Sequence, residues 1–399
     1  MSDSKIQYRR SIQNKLEEQL KFREIVVITG MRRVGKTTLL RMIFDSIKDD
    51  NKVFLDLENL IDQEIFHERD FNNIWANLKQ VGLSPERRAY IFLDEIQASP
   101  EITKAVKYLY DHFNIKFFLT GSSSLYLKNL FPESLAGRKV VFELFPLDFS
   151  EFLVFKEVKK DTLPTFQEKE SSKNKIAFEK QYPHFKEYCR YGGFPQVVIE
   201  ENEAQKTRYL SDILSSYFEK DISQMADFRN LTAMKELIRL LLPRVGSKLE
   251  ITKIAHEVGV SRETLYSYLS FLEGSYFLYR ISPYSTNVDR EISGTKKLYF
   301  CDNGLLNLFG KVSEGSLLEN AVFLNLKKYG SLNYYQRRTG KEIDFVIPGV
   351  KAAFEVKKKG TAFDLRILEK LAGSLNLDQY YVISELFTDF KGLILAQDI

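Results

Sequence analysis

Four consecutive β-branched residues, Ile25-Val26-Val27-Ile28, run into Gly30-Met31-Arg32-Arg33-Val34-Gly35-Lys36-Thr37, and Leu39, Leu40, Ile43, Phe44 and Ile47 follow at helical spacing. A strand, a G-x4-GKT loop and a helix in that order predict a P-loop, and with it a parallel α/β sheet. Gly30 and Gly35 let the backbone bend closely around a phosphate, and successive N–H groups with the helix N-terminus then face its oxygens. Lys36 adds a point charge for the β- and γ-phosphates, and the Thr37 hydroxyl suits Mg²⁺. Gly30, Arg32, Arg33, Val34, Gly35, Lys36, Thr37 and Thr38 are therefore the expected triphosphate cradle. The bland alternative is a Gly-rich turn before a helix.

A second strand, Tyr90-Ile91-Phe92-Leu93, ends in Asp94-Glu95, the pattern of a Walker B segment. Asp94 would stand near the metal, and Glu95 would orient or deprotonate water, which argues for hydrolysis over simple binding. The alternative is an acidic strand end in solvent. Further α/β units read as a strand at Val53 to Leu57, a helical face of Ile102, Ala105, Val106, Leu109, Tyr110 and Phe113, and strands at Ile115 to Leu119 and Val140 to Leu144. Together they predict a doubly wound parallel sheet. Thr120-Gly121-Ser122-Ser123-Ser124 sets hydroxyls at a strand C-terminus beside the loop, where such sheets bind ligands. Ser122 or Ser123 would sense the γ-phosphate, or the stretch is an ordinary Gly/Ser turn.

GMRRVGKTTL, YIFLDEIQ, FFLTGSSS, LAGRKVVFELFPLDFSEFL and YGGFP together resemble a large prokaryotic family of predicted AAA+-type ATPases with a C-terminal domain of undefined function. The likeness runs over essentially the whole chain in the right order. It implies ATP as cofactor, ATP hydrolysis, a helical lid after the core and a ring or other homo-oligomer. Arg138, in Ala136-Gly137-Arg138, is a candidate to stabilise the transition state from a neighbouring subunit, since its fork spreads charge over phosphoryl oxygens. A surface arginine paired with an acid is the alternative.

With 399 residues, two or three cores are expected at roughly 150 residues each. Charge is nearly balanced, 58 Lys plus Arg against 54 Asp plus Glu, so any nucleic-acid contact must come from local patches. Two cysteines and four histidines show no ligand-like spacing, which argues against zinc or a disulfide scaffold. The longest apolar runs fall far short of the ~18 residues that cross a bilayer, and the start MSDSKIQYRR lacks a signal core, so a cytoplasmic protein with no membrane partner is expected.

The expected order is a P-loop AAA+-type core over 1–155, a linker and helical lid over 156–235, a winged helix over 236–285 and a nuclease-like domain over 286–399. Residues 156–180 read as an exposed linker, being charged and poor in periodic apolar positions. Ile251, Ile254 and Ala255, the turn Gly259-Val260, Ser261 as N-cap, and Leu265, Tyr268, Leu269 and Leu272 read as a helix-turn-helix. Arg262, Glu263, Tyr266 and Ser267 would face outward and Tyr276 to Ile281 form the wing strand. Such a module reads a DNA groove or serves only as packing.

Further on, Glu342 to Ile347, a Pro348-Gly349 turn and Ala352 to Lys357 predict a hairpin that sets Asp344 opposite Glu355, with Lys357 on their face. Two opposed carboxylates repel unless a cation lies between them. Glu319 would supply a third oxygen, and an all-oxygen set suits Mg²⁺ or Mn²⁺. D-x10-E-x-K with an upstream helical Glu resembles the PD-(D/E)XK nuclease core, where a metal activates water and the Lys stabilises developing charge. The alternative is a surface hairpin whose Glu355 pairs with Lys357, Lys358 or Arg337.

The combined expectation is an ATPase acting on DNA through a winged helix and a nuclease-like module. The rival is a regulatory or signalling ATPase switch whose C-terminal domain is catalytically inactive and binds protein. A small-molecule kinase is disfavoured, because Asp94-Glu95 supplies a water-activating acid and the chain beyond residue 240 would be idle.

Overall fold

The apolar runs of the N-terminal third pair into one all-parallel sheet. Its strands are β1 (Ile25–Thr29), β2 (Lys52–Asp56), β3 (Ala89–Asp94), β4 (Ile115–Gly121) and β5 (Lys139–Glu143), in the spatial order β2-β3-β4-β1-β5. All five residues of β1 are buried, as a strand covered on both faces requires. In the register, Val27 stands between Leu119 and Val141, and Phe92 beside Phe118. One face is packed by Ile102, Ala105, Val106 and Leu109 of the helix Ile102–His112 and by Trp75 and Leu78 of the helix Phe71–Gln80. The other carries an aromatic row in which Phe92 stacks on Phe118 at 4.8 Å and Phe44 meets Phe92 edge-on at 5.3 Å. Each such side chain removed from water contributes about 1.5–3 kcal/mol. This packing fixes the strand ends that carry the P-loop and Asp94.

The computed structural model describes residues 8–122, 137–160, 163–222, 231–285, 291, 294–310, 312–337 and 340–399. The chain divides into two units: Met1–Phe145 with Gly274–Tyr276, and Pro146–Glu273 with Phe277–Ile399. Among the described residues no helix is long and apolar enough to cross a membrane.

In the second unit the helices Phe149–Phe155, Phe166–Ser171, Lys175–Tyr191, Pro195–Ile199 and Glu203–Ser216 come first. Within the stretch 156–180, expected as an exposed linker, residues 163–180 are instead built into the C-terminal packing. A capping box joins Thr165 and Glu168, and Phe166 packs on Phe354 at 4.9 Å and on Tyr329 at 4.7 Å. Phe178 joins Leu393 and Leu395 in a core cluster. Lys169 Nζ donates to the Asp398 carbonyl at 2.6 Å, and the Gly392 N–H donates to Glu170 at 2.6 Å. The lysine stems cover apolar surface while their heads find oxygen partners, which is why a charged sequence folds here.

The helices Leu231–Leu241, Ile251–Val258 and Arg262–Gly274 follow. Ile254, Ala255, Leu265, Tyr268, Leu269 and Leu272 are buried, whereas Arg262, Glu263, Tyr266 and Ser267 are exposed. The Thr264 N–H donates to Ser261 Oγ at 3.1 Å, the expected cap. β6 (Leu278–Ile281) pairs antiparallel with β7 (Lys297–Phe300). After the helices Asn303–Asn307 and Glu314–Leu326 comes a second sheet of β8 (Asn333–Gln336), β9 (Glu342–Ile347), β10 (Ala352–Lys357), β11 (Gln379–Ser384) and β12 (Leu393–Leu395), in the order β12-β11-β10-β9-β8. β9 pairs antiparallel with β8 and β10, while β10, β11 and β12 run parallel. Ile347 faces Ala352 and Phe345 faces Phe354, the register predicted from the turn length.

Candidate active site

The loop after β1 is shaped by two glycines. Gly30 has φ +155°, and a Cβ there would stand 2.0 Å from the Leu144 carbonyl oxygen; Gly35 has φ +97° as N-cap of the helix Lys36–Ser46. The loop is thus pressed against the chain leaving β5, whose Leu144 N–H donates to the Thr29 carbonyl at 2.7 Å. Arg33 also adopts a left-handed conformation, φ 63°. Lys36 is buried, and its ammonium spans the loop, donating to the carbonyls of Gly30 at 3.0 Å and Met31 at 3.1 Å. A phosphate oxygen is a stronger partner for that ammonium than a neutral carbonyl. Thr38 and Arg33 are exposed, Val34 is buried, and Arg32 lies 4.0 Å from Glu58.

Facing the loop, Asp94 ends β3 and is only 3% exposed. Burial raises its carboxyl, opposed by hydrogen bonds from Thr120 and Thr37, with Glu95 and Asp56 adding repulsion. Thr120, from β4 between β1 and β3, donates to Asp94 Oδ1 and accepts the Glu95 N–H at 2.9 Å. Glu95 has φ 54°, and Gln97 Nε2 donates to Glu95 Oε2. The sequence flagged a hydroxyl at this strand end without giving Thr120 its role of joining the two acids. Asp56 and Gln97 were also missed: Asp56 is set beside Asp94 by the pairing of β2 with β3, whereas Gln97 reaches Glu95 from two residues along the chain. Ser122 is buried just past β4, while Ser123 lies outside the described residues.

Arg138 stands at the other end of the sheet. Its carbonyl accepts the Ile25 N–H at 2.8 Å where β1 begins, and its Nε donates to Asp111 at 3.0 Å. Five residues of strand at ~3.3 Å each separate that edge from the chain's own P-loop.

The C-terminal residues also meet, in a different balance. The Val356 N–H donates to Asp344 Oδ2 at 2.8 Å, so the carboxylate enters the hydrogen bonding where the ladder of β9 and β10 ends. Lys357 Nζ donates to Glu355 Oε1 at 2.6 Å, the pairing that was the alternative, although on a half-buried rather than open surface. Glu319 accepts from the Tyr299 hydroxyl at 2.6 Å and lies 3.8 Å from Lys297. Lys297, unnoticed in the sequence, is 4% exposed and also pairs with Glu342. Burial pushes its ammonium down, but Glu319, Asp344 and Glu342 hold it above the ordinary range.

Burial first, then the Asp344 charge, pushes both Glu319 and Glu355 up to about 7. Each acid of the expected metal site is thus engaged by a resident donor, and an ammonium stands among them. Among the described residues no group of three His, Cys, Asp or Glu side chains is placed to hold a metal ion. The expected three-carboxylate site of Glu319, Asp344 and Glu355 does not fit a divalent ion in this arrangement.

Residues 22–153 match the AAA domain family, and residues 182–315 and 314–391 match two domains of unknown function. The chain is 30% identical over 389 residues to the uncharacterized protein MJ1544 of Methanocaldococcus jannaschii, covering 92% of this chain and 83% of that protein. It is 29% identical to an uncharacterized protein of Haemophilus influenzae over 94% of this chain and 95% of the relative. Among solved structures it is similar to the Walker-type ATPase PABY2304 of Pyrococcus abyssi, with TM-score 0.44 and 16% identity over 77% of this chain and 97% of that one.

Proposed function

Given that this chain belongs to the family of the uncharacterized protein MJ1544 of Methanocaldococcus jannaschii and carries an AAA domain, we propose that it binds ATP at the loop 30–37 and hydrolyses it. The observation that carries this reading is the connected set Thr37–Asp94–Thr120–Glu95 beside Lys36. Lys36 exchanges the Gly30 and Met31 carbonyls for phosphate oxygens, and the N–H groups at the start of the helix Lys36–Ser46, which have no partner within the helix, complete the cradle. Thr37 and Asp94 are hydrogen-bonded oxygen donors, and a buried carboxyl gains from a cation, so this pair fits Mg²⁺. Bound there, the ion would neutralise charge on the β- and γ-phosphate oxygens.

Glu95, steadied by Gln97, takes the proton of the attacking water as the new P–O bond forms and the bond to the β,γ-bridging oxygen breaks. Arg138 lies too far from its own loop to take part, so its role as a charge stabiliser requires a neighbouring copy and hence a homo-oligomer.

DNA is the target this reading assigns to the second unit. The exposed face Arg262, Glu263, Tyr266 and Ser267 of a helix-turn-helix followed by a paired strand supports a winged helix. The hairpin bearing Asp344, Glu355 and Lys357 supports a nuclease-like sheet. A second reading, a regulatory ATPase switch with an inactive C-terminal protein-binding module, is favoured by Lys297 and Lys357 lying against those acids. The test is ATP turnover with and without linear, single-stranded and branched DNA, in Mg²⁺ or Mn²⁺. DNA-stimulated turnover supports the first reading, turnover indifferent to DNA supports the second, and no turnover removes the ATPase itself.

A further inference from the structure

Arg10 precedes the segment matched as an AAA domain, in a stretch, Tyr8-Arg9-Arg10-Ser11, that carries no motif. It is nonetheless 7% exposed. Its Nη1 donates to the Val34 carbonyl at 3.0 Å and its Nη2 to the Phe145 carbonyl at 2.9 Å. One acceptor lies inside the phosphate loop, and the other follows Leu144, the residue against which Gly30 is pressed. The guanidinium fork therefore ties the loop to the chain leaving β5.

Stereochemistry gives that bond a direction. The peptide joining Val34 to Gly35 is trans, so its C=O and N–H point opposite ways. A guanidinium that holds the Val34 oxygen aims the Gly35 N–H away from itself. That N–H stands at the head of the helix Lys36–Ser46, among the donors that have no partner within the helix. Charge assistance makes both arginine bonds stronger than neutral ones, and a fork bridges two acceptors in a way a lysine ammonium on a flexible stem does not.

We propose that Arg10 is a positioning residue of the nucleotide site, presetting the Gly35 N–H for a phosphate oxygen. The proposal rests on the reading of the loop as an ATP site. The experiment compares the full-length wild type with Arg10→Met and Arg10→Lys in three measurements: binding of a fluorescent ATP analogue with Mg²⁺, steady-state ATP turnover, and amide-resolved hydrogen exchange without nucleotide.

Both variants are expected to bind the analogue about 10-fold or more weakly, the worth of one charge-assisted bond. In turnover the loss should fall on KM more than on kcat. In Arg10→Lys the unliganded melting temperature should stay near that of the wild type, while Gly35 exchanges faster. Wild-type affinity in Arg10→Lys overturns the proposal, and that variant decides alone if Arg10→Met does not fold. Should the wild type bind no ATP, the ATPase reading fails; Gly35 exchange then decides the positioning role separately, and exchange in Arg10→Lys no faster than wild type overturns it.

Discussion

The P-loop site and the C-terminal acid cluster use the same materials and reach opposite balances. Both set carboxylates near lysines at the ends of strands. At the P-loop, Lys36 rests on two main-chain carbonyls while Asp94 is held by the hydroxyls of Thr37 and Thr120. In the cluster, the lysines lie against the acids themselves, Lys297 on Glu342 and Glu319, Lys357 on Glu355. Neutral contacts are given up readily for a charged ligand, whereas an internal ion pair must be broken first. The first arrangement suits a group that comes and goes; the second suits a permanent joint between β7, β9 and the helix Glu314–Leu326.

The sharpest test of that contrast is Glu95→Gln, which keeps the side-chain shape and removes the carboxylate proposed as the base. It should retain nucleotide binding while turnover falls by about 10²–10⁴-fold, and equal turnover in a phosphate-release assay would remove Glu95 from its role. Next is Lys297→Met, which strands Glu342, Glu319 and Asp344 and should destabilise the second unit by about 3–5 kcal/mol in urea unfolding. If millimolar Mn²⁺ raised the wild-type unfolding midpoint, internal compensation would be incomplete and the contrast would fail.

Lys36→Ala should weaken ATP binding on the order of 100-fold by calorimetry with a smaller change in unliganded stability, because the Gly30 and Met31 carbonyls that lose their donor are neutral.

The smallest effect concerns Asp302, a buried carboxylate held by the main-chain N–H groups of Gly193 at 2.6 Å and Leu305 at 3.1 Å. Burial lifts it from 3.8 to about 6 in spite of those bonds. A carboxyl raised on folding binds its proton more tightly in the native state, so its contribution is fullest below pH ~4 and fades as pH climbs through ~6. Unfolding midpoints measured across that window should decline in the wild type and flatten in Asp302→Asn.

The loop 30–37, the acids Asp94 and Glu95 at the end of β3 and the helix pair around Ser261 were legible because each is encoded in a short continuous stretch, at most some two dozen residues. So was the register of β9 against β10, which follows from turn length. Arg10, Lys297 and the stretch 163–180 were not. Arg10 meets Phe145, Lys297 meets Glu342 and Lys169 meets Asp398, and no periodicity links residues that far apart. Thr165-x-x-Glu168 carries the signature of a helix start, but the surrounding charge is that of a solvated segment. Thr120 shows the intermediate case: its place at a strand end was readable, while its two partners required knowing that β4 lies between β1 and β3.

The packing of Phe166 on Phe354 and of Phe178 on Leu393 and Leu395 also dictates where the chain can be cut. A recombinant fragment starting at residue 286 would shed the two helices that roof its sheet and bare a row of aromatic and aliphatic side chains to water. Such a piece would aggregate or fail to express. Anyone wishing to crystallise the C-terminal portion alone would need to splice the helices at 166 and 175 back onto it.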